Sequence, residues 1–190
     1  MERDNQIIFN RNTVEFVTVA AEYCAFLERC EGMKRKEFVD TVLKILPLLY
    51  IKASMLPECE PAGEEAPESY LGEEDYEILR ISLASLMEDR DDYLEVFVQD
   101  MAYSDTPIRK CISEDLADIY QDLKNFVFVF QLGYDETMHD ALAICRENFA
   151  LFWGQTLVNT MRALHDLKYG LENQNEESDC GDEADCVNDH

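Results

Sequence analysis

Asp115, Asp118 and Asp122, with Glu114 beside them, are the residues whose types and spacing best suit chemistry. Steps of three and four residues place the three aspartates on one helix face, opposite an apolar stripe. Like charges one turn apart cost roughly 0.2–0.5 kcal/mol, and no Lys or Arg stands one turn away inside the cluster to offset this. A divalent cation such as Mg²⁺ would offset it, because it takes carboxylate oxygens and needs few protein ligands. All-α nucleotide pyrophosphohydrolases place paired acids on neighbouring helices for this purpose. Here the second half would come from Glu88 and Asp91, or from Glu74 and Glu77, each pair three residues apart. The competing reading is a solvated face bridged to Arg80, Arg146 or Arg162 on another helix. In so acidic a chain, acids three apart arise freely.

Other combinations fall short of a site. Glu136 and His139 form a Glu-x-x-His step of the kind that supplies ligands in di-iron bundles, but such bundles need two of these steps. The remaining histidines, His165 and His190, have Arg162 and Val187 three positions earlier, so the second is missing. Glu136 in a first helical turn suits the helix dipole instead. Cys24, Cys111 and Cys145 sit among apolar or helical neighbours, where a thiol is an inert small hydrophobe. Cys180 and Cys186 stand among carboxylates that raise thiol pKa values. No Cys-x-x-Cys, zinc knuckle, calcium loop, glycine-rich phosphate loop or Gly-x-Ser-x-Gly is present, and the chain has seven Gly in all. Trp153, close to Phe149 and Phe152, reads as core packing, with a pocket shared with His139 and Arg146 as the lesser reading. His165, near Arg162 and Asp166, reads as a surface histidine.

The elements that must position these residues are helices. Almost every long segment has an apolar period near 3.6, and none alternates with period two between turn signals. Asn12 followed by Glu15 has capping-box spacing and predicts a first helix that stops at Gly32, apolar on all sides but a stripe of Glu15, Thr18, Glu22 and Arg29. A second helix runs from about Lys34 to Met55, with a kink or break expected at Pro47 and an end at Pro57. Residues 57–70, rich in Pro and Glu, read as a mobile loop. A third helix covers about Glu73 to Glu88, with Ile78, Leu79, Ile81, Leu83 and Leu86 directed inward. Asp89 to Asp92 suggest a turn leading to a short helix that holds Leu94, Phe97, Val98 and Met101. Ser113 caps the next helix, which ends at Gly133. A last periodic stretch from Asp135 to about Lys168 carries Met138, Leu142, Cys145, Phe149, Phe152, Met161 and Leu164 inward, and Gly154 is the point that could divide it. The predicted fold is all-α, a single bundle of six to seven helices over residues 1–170 followed by a disordered acidic tail over 171–190.

The 190 residues are enough for one domain and its core, with 47% apolar and 11% aromatic residues. Against 41 Asp and Glu stand 16 Lys and Arg, a formal charge of −25. That balance argues against binding nucleic-acid phosphates or an anionic membrane surface, which call for Lys and Arg. Two segments account for most of it. Residues 58–77 hold nine acids and no base, residues 171–190 hold eight and no base, and the rest of the chain carries −8. No basic, apolar leader opens the chain and no run nears the ~18–20 apolar residues of a membrane span. Seven cysteines scattered through helices read as reduced cytosolic thiols.

Four segments carry a resemblance: Ile7 to Asn10, Lys44 to Tyr50, Ser113 to Leu123, and Phe152-Trp153-Gly154. In them the chain resembles a family of uncharacterised bacterial proteins, domain of unknown function 5063, typical of Bacteroides and relatives. The resemblance spans about residues 6–170. It brings no catalytic motif; it implies one domain, a bacterial cytosolic setting, and the Ser113 to Leu123 segment as the place to look first. The functional expectation is a cytoplasmic, non-enzymatic protein-interaction or regulatory module with a protein partner of unknown identity, no nucleic acid, no membrane and no cofactor. The alternative is a Mg²⁺-dependent nucleotide hydrolase using Asp115, Asp118 and Asp122.

Overall fold

Apolar periodicity builds the six long α-helices found among the described residues of the computed structural model, which describes residues 6–61, 69–95 and 108–170. Helix α1 spans Arg11–Glu28. Its N-cap is Asn10, not Asn12: the Asn10 carboxamide accepts from the Asn12 amide at 2.9 Å. Glu15, expected to reach back to a cap, instead binds Arg11 at 2.7 Å and Lys52 at 2.5 Å. After α1 the chain turns through Gly32, at φ +75°, a conformation that disfavours a side chain. Helix α2, Arg35–Ser54, continues through Pro47 without a break. The ring costs one backbone hydrogen bond, and fully buried Leu46 and Leu49 on either side hold the helix in place.

Residues 69–71 are not the end of a loose loop. The Asn125 carboxamide accepts from the amides of Tyr70 and Leu71, and the Tyr70 ring stacks on Phe128. Residues 62–68 of the expected loop lie outside the described residues, as do Phe97, Val98 and Met101 and the acidic tail. Helix α3, Glu73–Met87, buries Leu79, Leu83 and Met87. Ile78 and Ile81 were expected inside but are 61% and 58% exposed. The helix has two apolar stripes and only one meets the core.

A 3₁₀ turn, Glu88–Arg90, leads into β1, Asp92–Leu94, where a helix was expected. β1 pairs antiparallel with β2, Arg109–Cys111, in the register Asp92 to Cys111, Tyr93 to Lys110 and Leu94 to Arg109. Three residues are too few for alternation to register in the sequence. Helix α4, Ile112–Gln131, follows directly and is the central element, packed against α1 and α3 and against the last two helices. Gly133, at φ +76°, ends it.

Helix α5, Asp135–Asn148, and helix α6, Gly154–Tyr169, are joined by a π turn over Phe149–Trp153. The division falls at Gly154, as its position suggested. A Cβ there would lie 2.3 Å from the Phe149 carbonyl oxygen, so only glycine fits beneath the wide turn. The turn directs Trp153 into the core, where its ring stacks on Phe16, and turns Phe152 outward, contrary to expectation. The architecture is all-α apart from this small two-stranded sheet. Among the described residues no helix is long and apolar enough to cross a membrane.

Candidate functional site

The N-terminus of α4 is built before its carboxylates are placed. Ser113 was expected to cap it, but lies inside the first turn, 1% exposed. Asp91 supplies the cap from the preceding segment. Its carbonyl accepts from the Ile112 amide at 2.8 Å, and its carboxylate accepts from the Ser113 amide at 2.8 Å and the Ser113 hydroxyl at 2.6 Å. A carboxylate over the first amides of a helix satisfies donors that have no partner in the helix and complements the dipole. This contact ties the start of α4 to the small sheet.

The sheet in turn carries Tyr93 over α4. The Tyr93 hydroxyl donates to Asp115 Oδ2, and the Thr160 hydroxyl of α6 is shared between the same oxygen at 3.0 Å and the Thr156 carbonyl at 2.8 Å. Asp115 is 1% exposed, so the expected solvated face opposite an apolar stripe is absent at this position. The reason is topological: α4 runs through the centre of the bundle, packed against α1, α3, α5 and α6, and only the side that carries Glu114 and Asp118 stays exposed. Burial pushes the Asp115 carboxyl above its ordinary range, and the hydroxyls oppose that shift only in part.

Asp118 and Asp122 turn to other neighbours. Asp118 accepts from the Tyr76 hydroxyl of α3 at 2.7 Å, and Asp122 accepts from the Asn148 carboxamide of α5 at 2.8 Å. Burial raises Asp122 as well, against the Asn148 hydrogen bond. Three carboxylates on one helix thus connect α4 to β1 and α6, to α3, and to α5. Neutral hydroxyls and an amide make these contacts, not Arg80, Arg146 or Arg162. Arg80 binds Glu77 at 2.8 Å, Arg146 reaches Glu58 at 3.5 Å, and Arg162 donates to the Leu94 carbonyl at 2.9 Å.

Three of the four acids expected as a second half of a metal site, Glu88, Asp91 and Glu77, are engaged elsewhere too. Asp91 is the helix cap, and Glu88 meets Arg35 at 3.3 Å. Glu77 pairs with Arg80 one turn along its own helix. Among the described residues no group of three or more His, Cys, Asp or Glu side chains is arranged to hold a metal ion. Mg²⁺ calls for near-octahedral oxygens at about 2.0–2.1 Å and keeps several waters. A buried Asp115 oxygen that already accepts two hydroxyl protons does not fit that demand.

The described thiols are held away from the reactive thiolate form. Burial pushes Cys24 up to about 12 and Cys145 well above the ordinary thiol range, and burial together with the neighbouring Asp92 raises Cys111 to about 11. The described cysteines are free thiols. Trp153 donates its indole N–H to the Cys145 carbonyl at 3.2 Å and packs against Phe149, as a core aromatic does.

Two surface grooves were not read from the sequence. One, of about 810 Å³, lies between the outer face of α3, with Ile78, Ile81, Ser82 and Ser85, and the turn that enters α2 at Met33 and Lys34. The other, of about 860 Å³, lies between α2 and α6 and is lined by Leu43, Lys44, Val158, Met161, Arg162 and His165, among others. The signal for the second was present as Arg162, His165 and Lys168 at three-residue steps, although only the first two were singled out.

Comparison with known proteins agrees with this geometry and adds no chemistry. The family model of DUF5063, a domain of unknown function, matches residues 7–170. A crystal structure of a Bacteroides fragilis protein, determined by a structural genomics consortium, is 67% identical. It superimposes with a TM-score of 0.79, over 87% of this chain and 97% of that one. No curated protein matches the chain.

Proposed function

The chain belongs to the DUF5063 family of domains of unknown function, and from that premise we propose that it is a non-enzymatic protein-interaction module of the bacterial cytoplasm. The observation that carries the reading is the outer face of α3. Ile78 and Ile81 stand more than half exposed, one turn apart, with Ser82 and Ser85 completing the same face. Positions 78, 81, 82 and 85 follow helical spacing, so they form one uncharged strip on which another helix could settle closely. Isolated surface apolar residues need no explanation, but an apolar helical strip bordering a groove is the form that docking surfaces take.

The carboxylates support the same reading from the opposite direction. Asp115, Asp118 and Asp122 each hold a neighbouring element, which accounts for their presence without a reaction.

The test is a quantitative capture from Bacteroides lysate with the whole chain and with an Ile78→Glu, Ile81→Glu double variant. A specific protein retained in near-stoichiometric amount by the wild type, and lost by the variant at unchanged thermal stability, is the expected result. Retention of the same proteins by both, or of none by either, counts against the reading. Mg²⁺-dependent hydrolysis of a nucleotide that disappears in Asp118→Asn would replace it with an enzyme.

A further inference from the structure

Helices α2 and α6 run antiparallel along one side of the bundle. Asp40, early in α2, meets Lys168, late in α6, and Tyr50, late in α2, has its ring 5.2 Å from Phe149, just ahead of α6. The groove between them is apolar along its base, where Leu43 and Met161 pack against the core and Val158 stands 37% exposed. Its rim carries basic side chains. Lys44 stands on the α2 side, and Arg162, His165 and Lys168 follow one another on the α6 side. Asp40 is the acid lining the groove, and it is paired with Lys168. Arg162 is held by the Leu94 carbonyl, and the Lys168 ammonium also lies 4.9 Å from the centre of the Tyr169 ring.

In a chain of charge −25, a groove rimmed by basic side chains runs against the composition. The spacing of those side chains limits what they can recognise. Three residues apart on a helix is about 4.5 Å along the axis, so Arg162, His165 and Lys168 span about 9 Å. An amphiphile with one anionic head would engage one end of that row. Several anions spaced about a turn apart would engage all of it, and carboxylates at three- or four-residue steps along a helix, about 5–6 Å apart, have that spacing.

We propose that the α2–α6 groove is a docking site for an acidic amphipathic helix of a partner protein, which lays its apolar ridge on Leu43, Val158 and Met161 and sets a row of Asp or Glu side chains against Arg162, His165 and Lys168. This is the helix-in-groove mode of recognition, with the apolar floor supplying affinity and the basic wall supplying direction and register. It uses a different surface from the outer face of α3, so either can fail without the other.

The probe is a fluorescent synthetic peptide of about 18 residues, long enough to hold several helical turns. It is built of Leu, Ala and Glu with the Leu on one face and the Glu along one edge. Anisotropy titration of the whole chain is expected to show saturable binding that weakens with added salt, since paired surface charges are screened. Lys44→Glu combined with His165→Glu, both exposed positions, should weaken it by about tenfold or more, a change of about 1.4 kcal/mol. Val158→Asp should do the same through the floor, and Ile78→Ser with Ile81→Ser should leave it unchanged.

Equal binding of a scrambled peptide of the same composition, or of one with Lys for every Glu, overturns the proposal. So does equal binding by the Lys44→Glu, His165→Glu variant, or binding of oleate in place of the peptide. Loss of peptide binding in the Ile78→Ser, Ile81→Ser variant alone moves the site to α3 and overturns this groove while keeping the interaction reading. Concentration-dependent dimerisation that the Lys44→Glu, His165→Glu variant abolishes replaces the partner protein with a second copy of the chain.

Discussion

Helices α3 and α4 lie side by side and depart from the inside-apolar, outside-polar rule in opposite senses. α4 carries Asp115 into the core at 1% exposure, while α3 leaves Ile78 61% exposed. On α4 the buried carboxylate has named complements, the hydroxyls of Tyr93 and Thr160, and the other two of the row are paired as well, exposed Asp118 with Tyr76 and half-buried Asp122 with the Asn148 amide. On α3 the strip of Ile78 and Ile81 borders an open groove. A buried polar group that is fully satisfied joins elements and specifies how they pack. An apolar strip at a groove contributes little to the fold and is available to another molecule. The same sequence oddity, a residue on the unexpected face, therefore means structure in one helix and function in its neighbour.

The largest expected effect is on the structural side. Asp115→Ala removes the acceptor of two buried or half-buried hydroxyls and leaves a void, a cost of about 2–4 kcal/mol in urea denaturation. Asp115→Asn keeps one acceptor oxygen and the volume, and should cost about 1 kcal/mol. Equal stability of wild type and Asp115→Ala would break the comparison, because the carboxylate would then hold nothing.

The next effect is a pH dependence. Burial raises the folded-state pKa of Asp115 above its ordinary value of 3.8, so the folded chain binds this proton more tightly than the unfolded chain. The associated stability is fully present below the unfolded value and is lost as pH rises through the raised folded value. Wild type should therefore lose stability relative to Asp115→Asn across that window and run parallel to it above. Glu15 supplies the opposite sign. Its hydrogen bonds to Lys52 and Arg11 lower it from 4.5 to about 2. Its stabilising contribution is present above 4.5, and wild type should lose it relative to Glu15→Gln as pH falls toward 2. Parallel stability curves for wild type and Asp115→Asn throughout would show that Asp115 is solvated in the folded chain.

A smaller effect falls on the functional side. Ile78→Ser with Ile81→Ser replaces side chains that meet little of the core, so unfolding free energy should stay within about 0.5 kcal/mol of wild type. A loss of about 2 kcal/mol or more, on the scale of about 1.5–3 kcal/mol per buried aliphatic side chain, would mean that the isoleucines serve the fold of this chain after all.

The residues also show what could be read in advance. Helices were legible wherever an apolar period met a backbone signal: Gly133 stops α4 at positive φ, and Gly154 marks the division before α6, whereas α1 stops at Glu28, ahead of the turn at Gly32. The family was legible too, from four short segments that fall within the matched span. Ile78 and Ile81 were misplaced because helical spacing says that residues share a face but not which of two apolar faces meets the core. The strands were too short to alternate. For the aspartates, spacing placed them on one helix and in one row. What surrounds them depends on Tyr93 and Thr160, 22 and 45 residues away from Asp115, and on no local pattern.

The smallest expected effect is the response to Mg²⁺, and it bears most directly on what the row of aspartates is for. An ion that binds the folded chain stabilises it by RT ln(1 + [L]/Kd), about 2.7 kcal/mol at a hundred times Kd. To bind here, Mg²⁺ would have to displace the Tyr93 and Thr160 hydroxyls from Asp115 and draw Asp118 and Asp122 away from Tyr76 and Asn148. Those hydrogen bonds join α4 to α3, α5, α6 and β1, so metal binding would loosen the packing that brings the carboxylates together. Millimolar Mg²⁺ should accordingly give no calorimetric heat beyond dilution, and should shift the melting temperature of wild type and Asp118→Asn by the same small ionic-strength increment. A stabilisation specific to wild type and lost in Asp118→Asn would reverse the assignment, making the row of carboxylates on α4 the functional region and the isoleucines of α3 incidental.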